Sequence, residues 1–165
     1  MILYHGSIIE VTSPQIIRSE IGRDFGFAFY TTDICEQAVR WAKRKALIEN
    51  RKSKKNYIAT VSQYEWNEKT AYNELHIKAF QGSSMEWLEM VLECRSNISY
   101  EHEYDIVIGN IANDNVGETV SYVLQGIMRK EDAIERLKFE KINNQIAFCT
   151  NKALTSLKHI GSFIE

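Results

Sequence analysis

The stretch Phe27-Ala28-Phe29-Tyr30-Thr31-Thr32-Asp33-Ile34-Cys35-Glu36-Gln37-Ala38-Val39-Arg40-Trp41, residues 27–41, changes its period in the middle. Phe27–Thr31 is rich in aromatic and β-branched side chains and reads as a strand. From Asp33 the spacing turns helical, with Ile34, Ala38, Trp41 and Lys45 on one stripe. Asp33 with Glu36 three residues later has the form of a capping box and predicts a helix to about Asn50.

Outward from this unit the pattern is mixed. Upstream, Leu3–Tyr4 ends a short first strand closed by Gly6. Ser13–Pro14 opens a turn, Gln15–Arg18 is a short extended piece, and Gly22-Arg23-Asp24-Phe25-Gly26 is a glycine-punctuated loop. Downstream, Tyr57–Tyr64 is β-rich, and Glu74–Phe80 alternates as a half-buried strand does. Ser83 and Glu86 form a second capping box, opening a helix with Trp87, Leu88, Val91 and Leu92 at core spacing. Asp105–Gly109 reads as a buried strand, Glu118–Met128 and Lys130–Leu137 as short helices, and Gln145–Thr150 as a strand. Lys152–Leu157 reads as a helical turn and Ile160–Ile164 as a last strand. There is no regular βαβ alternation, and no Gly-rich phosphate loop follows a strand. A doubly wound fold is therefore disfavoured, and a single α+β domain over 1–165 with a split sheet is expected.

The composition agrees. At 165 residues, with 44% hydrophobic and 25% charged side chains, the chain can bury a core and is not disordered. No apolar run approaches the roughly 20 residues that span a bilayer, so no membrane partner is expected. Cys35, Cys94 and Cys149 are odd in number and widely spaced, which fits neither a disulfide framework nor a zinc knuckle. His76, His102 and His159 have no ligand spacing, so no metal is expected. Reduced thiols and the lack of a basic-then-apolar start point to a cytoplasmic location.

The net charge of −2 hides an asymmetry. Residues 40–55 carry eight bases (Arg40, Lys43, Arg44, Lys45, Arg51, Lys52, Lys54, Lys55) against Glu49 alone, whereas residues 85–118 carry eight acids against Arg95. The basic run reads either as a solvated helix end or as a patch for a phosphate-rich ligand, RNA or an acidic partner.

Three pieces carry candidate chemistry: Tyr4-His5-Gly6-Ser7, a histidine at a strand end beside a glycine; Tyr30 with Trp41 eleven residues later; and Asn143-Asn144-Gln145-Ile146-Ala147-Phe148, a polar turn entering a strand. Taken singly, each also reads as ordinary core or turn. The triplet Asp24-Phe25-Gly26 lacks the other kinase motifs.

Together, YHGS, DFGFAFYTT followed by QAVRWA, EWLEMVLECR, YDIVIGNIANDN and NNQIAFCTNKAL resemble the ADP-ribosyltransferase superfamily over nearly the whole chain. The resemblance is to the branch holding diphtheria toxin and the poly(ADP-ribose) polymerases, with its His-Tyr-Glu signature. It is closer still to a largely uncharacterised bacterial family in that clan, described as toxins of toxin–antitoxin pairs. The resemblance implies an ADP-ribosyltransferase-like split sheet with flanking helices and NAD as co-substrate. It also implies a macromolecular acceptor, protein or nucleic acid, and a cognate antitoxin partner.

On that resemblance Tyr30 and Trp41 would sandwich the nicotinamide, Trp41 replacing the usual tyrosine. Gly6 would offer its backbone to the carboxamide, with Ser7 beside it, and His5 would bond a ribose hydroxyl. Arg18 or Arg23 would meet the diphosphate. The polymerases' serine is Ala38 here. The catalytic set carried over is His5, Tyr30 and Gln145, and Gln145 stands where the family has its glutamate. An amide accepts a hydroxyl hydrogen bond but offers neither full charge nor a base. The implied outcomes are a slow enzyme, a reactive acceptor, a module that only binds NAD or a related nucleotide, or a carboxylate supplied by Glu140 or Asp105. A relative acting on RNA, like the NAD-consuming tRNA 2′-phosphotransferases, is a further reading.

Overall fold

A computed structural model describes residues 1–19, 22–110, 114–138 and 144–165. The fold is α+β with two sheets. One has three strands in the order β1 (Ile2–Ser7), β3 (Thr60–Trp66), β7 (Leu157–Ile164), all antiparallel. The other has four, in the order β2 (Phe29–Thr31), β6 (Asn144–Phe148), β5 (Ile106–Asn110), β4 (Ile77–Ala79), with only β4–β5 parallel. Helices α1 (Cys35–Ser53), α2 (Glu68–Glu74), α3 (Met85–Ser96), α4 (Asp114–Leu124), α5 (Lys130–Leu137) and α6 (Asn151–Leu154) complete the described chain. Among the described residues no helix is long and apolar enough to cross a membrane.

The change of period at residue 33 is a strand turning into α1, as the sequence predicts, but the cap differs. Ile34 is the N-cap and makes no side-chain cap bond. Thr32 Oγ1 accepts from the Ile34 N–H at 3.1 Å instead. Asp33 Oδ1 accepts from Asn144 Nδ2 at 3.2 Å, so it ties α1 to β6 rather than capping the helix. The second capping box is also shifted: Ser84 caps α3 by accepting from Trp87 N, while Ser83 Oγ accepts from Asn110 Nδ2. Helix α2 has no counterpart in the sequence reading, and the strand expected over Glu74–Phe80 is confined to β4.

Burial follows the sheets. Leu3, Phe29, Tyr64, Trp66, Ile106, Ile146 and Phe148 form a core between them. Phe25, Trp87, Leu88, Val91, Val107, Val120 and Ala147 form another on the far face of the larger sheet, under α3 to α5. Helix α1 lies on β1 and β3 through Ala38, Ala42 and Ala46, which pack with Ala59 and Val61. That stripe is small for a stated reason. A Cβ at Gly6 would stand 2.1 Å from the Ala38 carbonyl oxygen and 2.8 Å from Ala42 N. The backbone of α1 at Ala38 and Ala42 is therefore a packing surface for Gly6.

Gly6→Ala is expected to destabilise by about 2 kcal/mol, as other overpacking changes do. Gly117→Ala, inside α4 with nothing near its Cβ position among the described residues, is expected to stabilise by up to about 1 kcal/mol. Urea midpoints at constant slope for the two variants check the contrast.

Candidate functional site where the sheets part

Among the described residues one backbone bridge joins the two sheets, beside the core packed between them. Tyr4 N donates to Thr32 O at 2.8 Å, and Thr32 N donates to Tyr4 O at 3.0 Å. Continued, an antiparallel ladder would next pair Gly6 with Tyr30. It does not continue. The His5 side chain takes the Tyr30 carbonyl instead, Nδ1 to O at 2.7 Å, and the strands splay. Strand alternation then directs the Gly6 N–H and C=O to the same side as those of Tyr4, away from β3 and towards the opening.

That opening is a cavity of about 470 Å³, within the range of small-molecule sites. His5, Gly6, Tyr30, Trp41 and Gln145 all line it, with Arg23, Asp24, Arg44, Lys45, Glu49 and Arg95. Five side chains or backbones expected at the site thus come together from β1, β2, α1 and β6.

His5 is 7% exposed and stacks on Phe29 with centroids 4.4 Å apart. Burial holds its pKa at about 4, with the Lys45 charge adding to the effect against the stabilising Tyr30 bond. The ring is therefore neutral at pH 7. A carbonyl can only accept, so Nδ1 carries the proton and Nε2 is an acceptor. Tyr30 donates its hydroxyl to Gly26 O at 2.6 Å and accepts from Phe25 N at 3.3 Å. This fixes the ring against the loop, and burial raises its pKa well above the usual phenol value. The DFG triplet is thus a structural support: Asp24 Oδ1 accepts from Arg95 Nε at 2.7 Å, and Phe25 is core.

Gln145 is 6% exposed, is paired in register with Gly109, and its Nε2 has no hydrogen-bond partner among the described residues. A buried amide left so costs about 1–3 kcal/mol, which a ligand oxygen would recover. Gln37, which the sequence reading passed over, donates Nε2 to Asn144 O at 2.8 Å and so locks α1 beside Gln145. The only sequence signal for it was a polar residue one turn before Trp41.

The cavity's mouth is basic. Arg23, Arg44 and Lys45 line it beside the Asp24–Arg95 pair. Lys45 Nζ donates to Ser7 Oγ at 3.4 Å, so Ser7 holds Lys45 and is not itself part of the lining. Burial lowers the Lys45 pKa, and the neighbouring Arg23 lowers it further, against Glu49.

Arg18 is placed elsewhere. Its guanidinium stands 5.2 Å over the Phe27 ring and does not line the cavity, whereas its neighbour Ile17 does. Arg23 is the loop arginine at the site. Asp105 accepts from Thr150 Oγ1 at 2.6 Å and His76 N at 3.0 Å. It precedes β5, four residues from the Gly109 that faces Gln145, or about 13 Å along a strand. It is a turn anchor, not a carboxylate of this cavity. Asp114 begins α4; Glu140 and Asn143 lie outside the described residues. Among the described residues no cluster of three or more His, Cys, Asp or Glu side chains is placed to hold a metal ion.

His5 carries a pH signature. Its folded pKa lies below the unfolded value of about 6.5, so the unfolded chain takes up the proton first. Stability is full above pH 6.5 and falls between 6.5 and about 4, by about 3 kcal/mol over that window. His5→Asn should lose this component of the urea-midpoint profile, and the His5 ring ¹⁵N shifts should stay those of the Nδ1–H tautomer down to pH 5.

Comparison with curated proteins finds no match. A family described as "Protein of unknown function (DUF3990)" matches residues 1–159. That match takes in both sheets to within the last strand and every residue of the cavity, and the chain belongs to this DUF3990 family.

Proposed function

We propose that the chain is an NAD-dependent mono-ADP-ribosyltransferase that cleaves the nicotinamide–ribose bond and passes ADP-ribose to a macromolecule. In this reading it works in the cytoplasm as the toxin of a bacterial toxin–antitoxin pair, with the antitoxin as its partner. The observation that supports it is one cavity lined by His5, Gly6, Tyr30, Trp41 and Gln145. The toxin role rests on the sequence resemblance alone.

The residues suit the substrate. A carboxamide needs one donor and one acceptor, and the cavity-facing N–H and C=O of Gly6 supply both. The faces of Tyr30 and Trp41 suit a flat pyridinium. His5 Nε2 accepts from a ribose hydroxyl, and Gln145 bonds a second. Arg23, Arg44 and Lys45 suit a diphosphate.

In the reaction the bond from ribose C1′ to the pyridinium nitrogen breaks, and its electron pair leaves with nicotinamide, which becomes neutral. An acceptor lone pair forms the new bond to C1′, and the acceptor's proton passes to water. Departure needs no acid, so holding the leaving ring and stabilising the oxocarbenium-like cation carry the chemistry. Gln145 supplies only a dipole where a carboxylate would supply a charge; of the cavity's acids, Asp24 is committed to Arg95, and Glu49 pairs with Lys52 at 3.9 Å from the exposed side of α1. That composition favours a second reading, a module that binds NAD without turning it over.

Calorimetry and nicotinamide release from NAD separate the two. For the transferase, wild type releases nicotinamide slowly, and Gln145→Glu raises the rate by about 10²-fold, the scale of one preorganised electrostatic contact. Trp41→Ala and Tyr30→Phe serve as controls, the first weakening NAD binding and the second keeping the ring. Binding without release in both wild type and Gln145→Glu selects the module. No NAD binding by folded wild type removes both.

A further inference from the structure

Helix α1 presents two adjacent stripes. One, with Trp41, Arg44, Lys45 and Ile48, lines the cavity. At 100° per residue the next stripe around the helix is Arg40, Lys43, Arg44, Leu47 and Arg51, continued by Lys54 at the C-cap. Arg44 belongs to both. Arg40, Lys43, Arg44, Leu47, Arg51 and Lys54 are all exposed.

Five of the six residues of the stripe are basic. Lys43 pairs with Glu165 at 3.2 Å; Arg40, Arg51 and Lys54 form no ion pair among the described residues. Residues 40–55 sum to +7, so the rest of the chain sums to −9. Eight of the chain's twenty Lys and Arg residues therefore fall on the helix that walls the cavity and the two residues that follow it, in a chain otherwise net acidic. From Arg40 to Lys54 it runs about 21 Å, the axial length of about six phosphates of one strand at 3.4 Å spacing.

Its make-up separates two classes of polyanion. Protein interfaces are depleted in lysine and anchored by buried aromatic or apolar side chains. This stripe is built of cations, with Leu47 as its one large apolar side chain. Cations spread over about 21 Å of one helix face suit a phosphate backbone instead.

We propose that the macromolecule brought to the cavity is a nucleic acid, its sugar–phosphate backbone lying along the α1 ridge so that a base or sugar reaches the Trp41 side. The identity of the acceptor rests on the transferase reading; the docking of nucleic acid on α1 does not.

The test uses the full chain and the triple variant Arg40→Gln, Arg51→Gln, Lys54→Asn. None of these residues lines the cavity, and asparagine tolerates the left-handed backbone of position 54, where φ is 54°. Fluorescein-labelled 20-nucleotide single-stranded RNA and DNA are titrated by anisotropy from 50 to 200 mM NaCl, with a poly-glutamate peptide of equal charge as the competing class. NAD binding is measured by calorimetry on the same preparations.

The expected result is nucleic-acid binding whose log–log salt slope falls by about 2 in the variant, at about 0.7 per lost cation, with NAD affinity unchanged. The RNA and DNA arms identify the backbone preferred. No binding of either strand by wild type, an equal slope in the variant, or equal binding of poly-glutamate overturns the proposal. Wild type that binds nucleic acid but not NAD sinks the transferase reading and leaves the docking surface standing.

Discussion

Two hydrogen bonds, between the backbones of Tyr4 and Thr32, join the backbones of the two sheets beside the core packed between them. Everything at the candidate site follows from how that bridge ends. Had the ladder gone on, Gly6 would pair with Tyr30 and no opening would exist. The His5 imidazole intercepts the Tyr30 carbonyl. It substitutes one side-chain bond for the next pair of backbone bonds, and the strands diverge. His5 is thus a structural wedge before it is a ligand-binding group. Its burial against Phe29 both sets the wedge and keeps it neutral.

The same constraint explains why Gly6 is flanked as it is. Its Cα side is pressed on Ala38 and Ala42 of α1, and its backbone polar groups are turned to the cavity. One missing side chain therefore serves two neighbours. Without it α1 could not approach β1, and Trp41, Arg44 and Lys45, carried by α1, would not reach the space beside His5 and Tyr30.

What the sequence made legible was local. The switch from β to helical period at residues 27–41 needs no distant partner; Tyr30 and Trp41 were singled out by the resemblance, and both line the cavity. The α+β class followed from the irregular element order. Features with distant partners were misread. Asp33 looked like a cap, but Asn144, 111 residues away, occupies it. Arg18 and Arg23 were equal candidates because a loop has no period. Only the Ile17–Ala28 bridge decides that Ile17 faces the cavity and Arg18 turns onto Phe27. Helix α2 is short and polar, with Ala71 as its one buried residue, so no hydrophobic period announces it. Gln37 was invisible because its partner is a backbone carbonyl on β6.

The cavity is electrostatically graded. His5 and Gln145, at 7% and 6% exposed, are neutral at pH 7, the equally buried Asp24 is paired with Arg95, and the cations Arg44 and Lys45 stand at the exposed end. Burial, and then the neighbouring Arg23, disfavour the charge on Lys45; Glu49 offsets part of this, and an anion bound beside Lys45 would offset more. A carboxylate at position 145 would compete for those cations from below and would draw a bound polyanion's partners inward. The amide does not, so the positive charge stays at the mouth, continuous with the outer stripe of α1. In the proposed reading, this arrangement would favour capture of phosphate-bearing molecules at the expense of negative charge beside the ribose.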